Sequence, residues 1–419
     1  MPLPAFPLYG TDAAWWKMNH ANSRVIITAL LRFETRLERD VLIATLERGI
    51  APYPQFRSRT VMKGWGVTIP YWEEVPNFRV ASHVEQVNTP APVTSEGVAA
   101  IVGELMSQPL PENQPLWRAH LIEEAEGGTA LVFRIHHAIG DGAALVHFLL
   151  SLTEGTQNAP VHRRRTSGAA WYEPIRFALS TLITPFALLF MPPEGEHPLH
   201  RPLTMEKQVA WSRPIPLDMI KSIGKATDST VNDVLVAAVV GALRPFLLPH
   251  GIQKARAAIP VALRAFGKTP KLENHIGLVF LNLPVGVAEP QARLAQVKQQ
   301  TERLKRSPQA IITFAILWLA GYLPSIFARG LAWFLGTKIT MVMTNVPGPH
   351  APLTLAGGTM AQLMFWVPQA GNCGIGVSLL SYNGAVTVGI ATDTGLQVHS
   401  TQLISNIEVE LQKLANLGI

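Results

Sequence analysis

The chain has 419 residues, a length suited to two or three domains with cores large enough to need no disulfide or metal staple. Charged residues make up 15%, apolar residues 48%, and mean hydropathy is +0.19, which excludes disordered, coiled-coil and fibrous classes. The net charge of +6 suits a phosphate-bearing ligand or an anionic lipid surface, while the absence of a continuous basic stripe argues against nucleic acid.

Residues 24–34 are rich in β-branched residues and predict a strand, followed by a helix over 37–50 and another over 95–106. Leu116–Glu123 and Ala130–His137 predict a hairpin around Glu124-Ala-Glu-Gly-Gly, and Ala143–Leu152 a helix. Residues 1–153 thus form a first domain, 154–205 a Pro-rich linker carrying an apolar helix, and 206–419 a second domain. In the latter, Thr230-Val-Asn-Asp233 has the pattern of a capping box. Strands at Ala255–Leu263 and Gly277–Val285 and helices over 290–305 and 309–335 follow. Ile375–Tyr382 and Ala385–Thr392 flank Asn383-Gly384, a strong hairpin signal, and a helix from His399 to Leu417 closes the chain. Alternating strands and helices in both halves give an α/β (α+β) class.

Two stretches lack charge, 17 residues over Phe177–Pro193 and 22 over Ser307–Ala328. The first is short for a membrane span and holds Pro185; the second is interrupted by Gly321 and Pro324. Basic clusters precede both, Arg163-Arg164-Arg165 and Arg303, Lys305 and Arg306, as in segments lying on a bilayer interface. Buried core helices remain the alternative. The lone Cys373 excludes an intrachain disulfide and a cysteine zinc cage, and the N-terminus shows no secretory leader. A cytoplasmic protein peripherally associated with the inner membrane or lipid droplets is expected.

The run Arg134-Ile-His136-His137-Ala-Ile-Gly140-Asp141-Gly142 sits where a strand gives way to a helix. Neighbouring side chains on a strand point to opposite faces, so His136 and His137 cannot share a metal ion. One can face a cavity as a general base while the other supports the turn. The N-terminus of the following helix would favour a neutral imidazole, Asp141 could cap that helix or pair with Arg264, and Gly140 and Gly142 leave room for substrate. An isolated His-His pair is more readily explained as two core histidines on a strand, with an ordinary Asp-Gly turn after them.

His136-His137-x3-Asp141-Gly142 resembles the HHxxxDG motif of the CoA-dependent acyltransferase superfamily. Pro115-Leu116-Trp117, Thr230-Val-Asn232-Asp233-Val and Asn345-Val-Pro347-Gly348-Pro resemble motifs of the bacterial wax ester synthase/diacylglycerol acyltransferase family, in order from about Thr11 onward. The resemblance implies two chloramphenicol-acetyltransferase-like domains around a tunnel. It also implies acyl transfer from acyl-CoA, a co-substrate, to a fatty alcohol or diacylglycerol, with no metal or other cofactor. His137 would be the base, His136 and Asp141 its supports and Asn232 a candidate oxyanion donor. Gly142, Pro115, Leu116, Trp117, Asn345, Pro347 and Gly348 would line the substrate path. The alternatives are a superfamily transferase with another acceptor and a lipid-surface binding protein without turnover.

Overall fold

The computed structural model describes residues 4–21, 23–62, 69–154, 173–263 and 272–416. Three sheets carry the fold. A small one joins β1 (Phe6–Pro7), β4 (Pro70–Glu74) and β3 (Ser58–Met62). The first large sheet runs β13 (Thr354–Leu355), β14 (Gly358–Trp366), β2 (Ile26–Phe33), β7 (Thr129–His136), β6 (Trp117–Glu123), β5 (Val84–Gln86). The second runs β11 (Ile276–Leu283), β10 (Ala255–Ala262), β12 (Met341–Pro347), β15 (Ile375–Tyr382), β16 (Ala385–Asp393), β8 (Lys207–Trp211), with β9 (Ile215–Pro216) also on β16. Eleven helices accompany them among the described residues. They are α1 (Gly10–Met18), α2 (Arg39–Ile50), α3 (Ser95–Met106), α4 (Gly142–Leu152), α5 (Glu173–Leu189) and α6 (Leu217–Ala226), then α7 (Val231–Leu247), α8 (Pro290–Lys305), α9 (Gln309–Ala320), α10 (Ser325–Gly336) and α11 (Ser400–Asn416).

β7 is buried at every position because it lies inside its sheet with both faces covered, which explains its apolar run Ala130-Leu-Val-Phe133. The Asn383-Gly384 turn takes φ of 47° and 77°, the left-handed pair that a two-residue hairpin requires. Thr230 and Asp233 exchange the reciprocal hydrogen bonds of a capping box and start α7. Val231–His250 is the one span among the described residues long and apolar enough to cross a membrane, and two thirds of it is buried in the second core, against α11 and α8. Among the described residues, the two stretches singled out in the sequence contribute only the shorter apolar helices Ser180–Leu189 and Gln309–Ala320.

One sequence expectation changes. The first sheet is not confined to residues 1–153: β14, from the second half, pairs antiparallel with β2 over Met360–Trp366. The sequence is silent on this because pairing partners more than three hundred residues apart leave no local pattern. The stretch 309–335 forms two helices, interrupted between Ala320 and Ser325 at Gly321 and Pro324 as the sequence predicts. A Cβ at Gly321 would lie 1.9 Å from the Gly10 carbonyl oxygen, so glycine lets this corner press onto α1. The buried Lys17 ammonium locks it there, donating to the Gly321 and Leu323 carbonyls at 2.9 and 2.7 Å. Residues 163–165 and Arg264 lie outside the described residues.

Candidate active site

β7 ends at His136, and the chain turns through His137–Asp141 into α4. The turn is fixed by its own polar groups. The Ala138 amide donates to His136 Nδ1 at 3.0 Å, and the Ile139 amide to the His136 carbonyl at 3.0 Å. His136 Nδ1 is therefore the acceptor and Nε2 carries the hydrogen. Burial, with a smaller push from His137, holds His136 down to about 3. Asp141 caps α4 through the Ala144 amide at 2.9 Å, and its other oxygen accepts from the His275 amide at 2.9 Å. One carboxylate thus ties the histidine turn to the segment entering β11.

His137 is held from that same segment. Its Nδ1 lies 2.7 Å from Asn274 Oδ1, and the Asn274 amide nitrogen donates to the His137 carbonyl at 2.7 Å and to Asp12 Oδ1 at 2.8 Å. With both amide hydrogens used on acceptors, Asn274 can only accept from the ring. Nδ1 must carry the imidazole hydrogen, and Nε2 is left as the lone pair. The ring stacks on Trp15 of α1, with centroids 4.6 Å apart at 25°. Burial pulls the His137 pKa down, while the Asp141 charge and the hydrogen bond to Asn274 oppose it. The neutral imidazole thus comes chiefly from burial, where the sequence reading invoked the α4 N-terminus.

The two histidines serve different spaces, as alternation along a strand requires. His137 borders a cavity of about 710 Å³ walled by Trp15, Ile276, Leu317, Ala332 and Val342. His136 borders one of about 750 Å³ that carries Lys17, Asn19, Glu112 and Arg329. A third, about 760 Å³ and almost wholly apolar, begins at Gly142 and runs beneath α4 past Val146, Leu149, Leu363 and Val346. A Cβ on Gly142 would meet only Val346, at 3.9 Å, so this glycine leaves the cavity mouth open.

The remaining expected site residues fall elsewhere. Trp117 is fully buried in the first core, stacked on Phe133 and donating to the Phe56 carbonyl at 2.8 Å. Pro115 accepts the Trp117 amide, and Leu116 accepts the His136 amide at 2.9 Å while bordering the His136 cavity. This trio shapes the sheet end more than it lines a path to His137. Asn232 accepts from Asn345 at 3.1 Å, and no hydrogen bond joins either to His137. Pro347 ends β12, and a Cβ on Gly348 would sit 2.2 Å from the Ser381 carbonyl oxygen, so that glycine answers to close packing. Sequence reasoning missed Asp12, Trp15 and Asn274. The only trace was a polar Glu273-Asn274-His275 cluster ahead of an apolar strand.

Two models of one family match the chain, the wax ester synthase/diacylglycerol acyltransferase catalytic domain over residues 8–183 and the WS/DGAT C-terminal domain over 272–415. The chain belongs to this acyltransferase family. A probable diacylglycerol O-acyltransferase of Mycobacterium tuberculosis is 25% identical over 412 residues, covering 91% of this chain and 89% of that one. Another from that species, termed putative, is 28% identical over 390 residues, covering 83% and 77%. The fold is that of the wax ester synthase/diacylglycerol acyltransferase from Marinobacter aquaeolei VT8, with a TM-score of 0.70, 22% identity and coverage of 98% and 99%. The first condensation domain of the calcium-dependent antibiotic synthetase also matches, at TM-score 0.66 and 16% identity over 99% and 96%. The acyltransferase therefore has the two-domain architecture expected from its sequence.

Proposed function

We propose that the acyltransferase moves a long-chain acyl group from acyl-CoA to a fatty alcohol or diacylglycerol, forming wax ester or triacylglycerol, with His137 as general base. The observation that carries this is the contact of His137 Nδ1 with Asn274 Oδ1 at 2.7 Å, which assigns the ring hydrogen to Nδ1 and frees Nε2 as a base, beside a cavity with almost no polar lining. The acceptor hydroxyl gives its proton to Nε2, and its oxygen bonds to the thioester carbonyl carbon. The tetrahedral intermediate collapses, the C–S bond breaks, and the departing CoA sulfur takes the proton back from the imidazolium. Transfer is direct, so the chemistry calls on no metal or further cofactor.

Two apolar cavities suit two chains. The acyl chain occupies the cavity beneath α4 and the acceptor enters the His137 cavity. The walls of the latter, α9 and α10, turn Ile311, Leu319, Ile326, Phe327 and Trp333 outward, and α5 adds Leu182, Ile183 and Phe186. The exposed Arg303, Lys305 and Arg306 lie immediately before α9. An apolar face with basic neighbours supports peripheral attachment to an anionic membrane or lipid-droplet surface, where the acceptors reside.

The test is release of free thiol from palmitoyl-CoA with and without hexadecanol or dioleoylglycerol. Release should require the acceptor and fall at least about 10³-fold in His137→Ala. Acceptor-independent release, or full turnover in the variant, would refute the assignment.

A further inference from the structure

His137 is held as a base by a chain of groups that begins on another helix. Asp12, in the first turn of α1, is buried, and its Oδ1 accepts from both the Asn274 backbone amide and the Asn274 side-chain nitrogen, each at 2.8 Å. Thr11 beside it donates to the Asn274 carbonyl at 2.5 Å. Asn274 in turn faces His137 Nδ1 with its oxygen. An asparagine side chain can rotate by half a turn and exchange donor for acceptor. In that flipped state its nitrogen would confront Nδ1, the ring hydrogen would shift to Nε2, and the lone pair needed for proton abstraction would point at Asn274. The His137 carbonyl, which accepts the other amide hydrogen at 2.7 Å, opposes the flip, and a negative oxygen at Asp12 opposes it most strongly, because each would then face the amide oxygen.

We propose that Asp12 is a positioning residue for catalysis, selecting through Asn274 the His137 tautomer whose lone pair faces the substrate cavity. The inference rests on His137 being the base. Asp12 touches neither ring nor substrate and acts by excluding one amide orientation. Burial raises its pKa to about 7, with smaller contributions from the charges of Glu273 and Asp141, so the lock weakens as pH falls through that region. The other charges near α1 are its own Lys17, the Arg329 of α10, which donates to the Lys17 carbonyl, and Glu112, which lines the same cavity as both; α9 carries none.

The experiment compares Asp12→Asn, Asn274→Ala and His137→Ala by steady-state kinetics across pH 5.5–9 and by ¹⁵N NMR of histidine-labelled protein. In the parent enzyme His137 should show a protonated Nδ1 and a bare Nε2, and kcat/KM should fall on the acid side of about pH 7. Asp12→Asn should keep KM within about twofold, lower kcat about a hundredfold, populate both tautomers and displace the acid limb downward. Asn274→Ala should also mix the tautomers, which keeps the test alive if Asp12→Asn does not fold. A single unchanged tautomer in Asp12→Asn, or a kcat of that variant within twofold of the parent, overturns the role of Asp12, and an unchanged tautomer in Asn274→Ala overturns the whole relay. Turnover surviving in His137→Ala would instead overturn the base assignment, and the NMR would still decide whether the lock exists.

Discussion

The cavity beneath α4 gives a graded test of where the acyl chain lies. Val146 stands one helical turn beyond Gly142 and lines that cavity together with Leu149 and Val346. Val146→Phe replaces an isopropyl by a benzyl group and occupies the space of roughly two to three methylenes. Each methylene transferred from water into an apolar site is worth about 0.8 kcal/mol. A chain long enough to reach the obstruction therefore loses about 2 kcal/mol, which is roughly thirtyfold in kcat/KM. A chain too short to reach it loses nothing. Thiol release should be followed with acyl-CoAs of increasing length at saturating hexadecanol, and then with alcohols of increasing length at fixed acyl-CoA. The expected outcome is near-parental kcat/KM for the shortest acyl-CoAs and a stepwise fall for longer ones, with alcohol preference unchanged. An equal loss at every acyl length would show that the substitution disturbs the His137 turn. A loss tracking the alcohol would exchange the assignments of the two cavities.

Other outcomes follow from the same geometry. Burial holds His136 at about 3 and His83 and His120 at about 4, below the 6.5 of an exposed histidine. The unfolded chain takes up these protons first, so the stability they carry is complete above pH 6.5 and is lost as pH falls toward 4. At pH 5 each costs about 2 kcal/mol, partly offset by Asp12, whose raised pKa works in the opposite sense. Thermal unfolding at pH 7 and 5 should show a steep fall in Tm, shallower in His120→Gln; an unchanged slope would refute this. Asp141→Ala removes the α4 cap and the tie to His275, and should cost about 1–2 kcal/mol in denaturant titrations while lowering kcat. A variant with unaltered stability would deny the tie. Ile326→Ser with Trp333→Ser, both exposed on α10, should weaken co-sedimentation with anionic vesicles and leave turnover of a short soluble alcohol intact. Undiminished sedimentation would place the lipid contact elsewhere.

Much of this architecture was legible in the residues because its signals are local. The hairpin at Asn383-Gly384, the capping box at Thr230 and the breaks at Gly321 and Pro324 each depend on a few adjacent side chains whose backbone preferences decide the outcome. The histidine turn was legible for the same reason, since His136 and Asp141 each accept from a backbone amide two or three residues further on. The grip on His137 was not. Asp12 and Asn274 are separated by 262 residues, and neither stands in a pattern of its own. Trp117 misled in the opposite direction, since motif membership says that a residue is required but not whether it meets substrate or core. Asn232 likewise sits in a motif yet spends its side-chain oxygen on Asn345.

The pairing of β14 with β2 has a consequence for how the chain is made. β2 and β7 are synthesised early, but one edge of β2 has no partner until residues 360–366 have left the ribosome. At about 5–20 residues per second that interval is on the order of tens of seconds. Throughout it, a strand with a buried apolar face offers an open edge, which is a template for pairing with other nascent chains. Either half made alone would leave the β2–β14 edge unpaired, and yield in a cell should depend on holdase chaperones during translation more than on the stability of the completed fold.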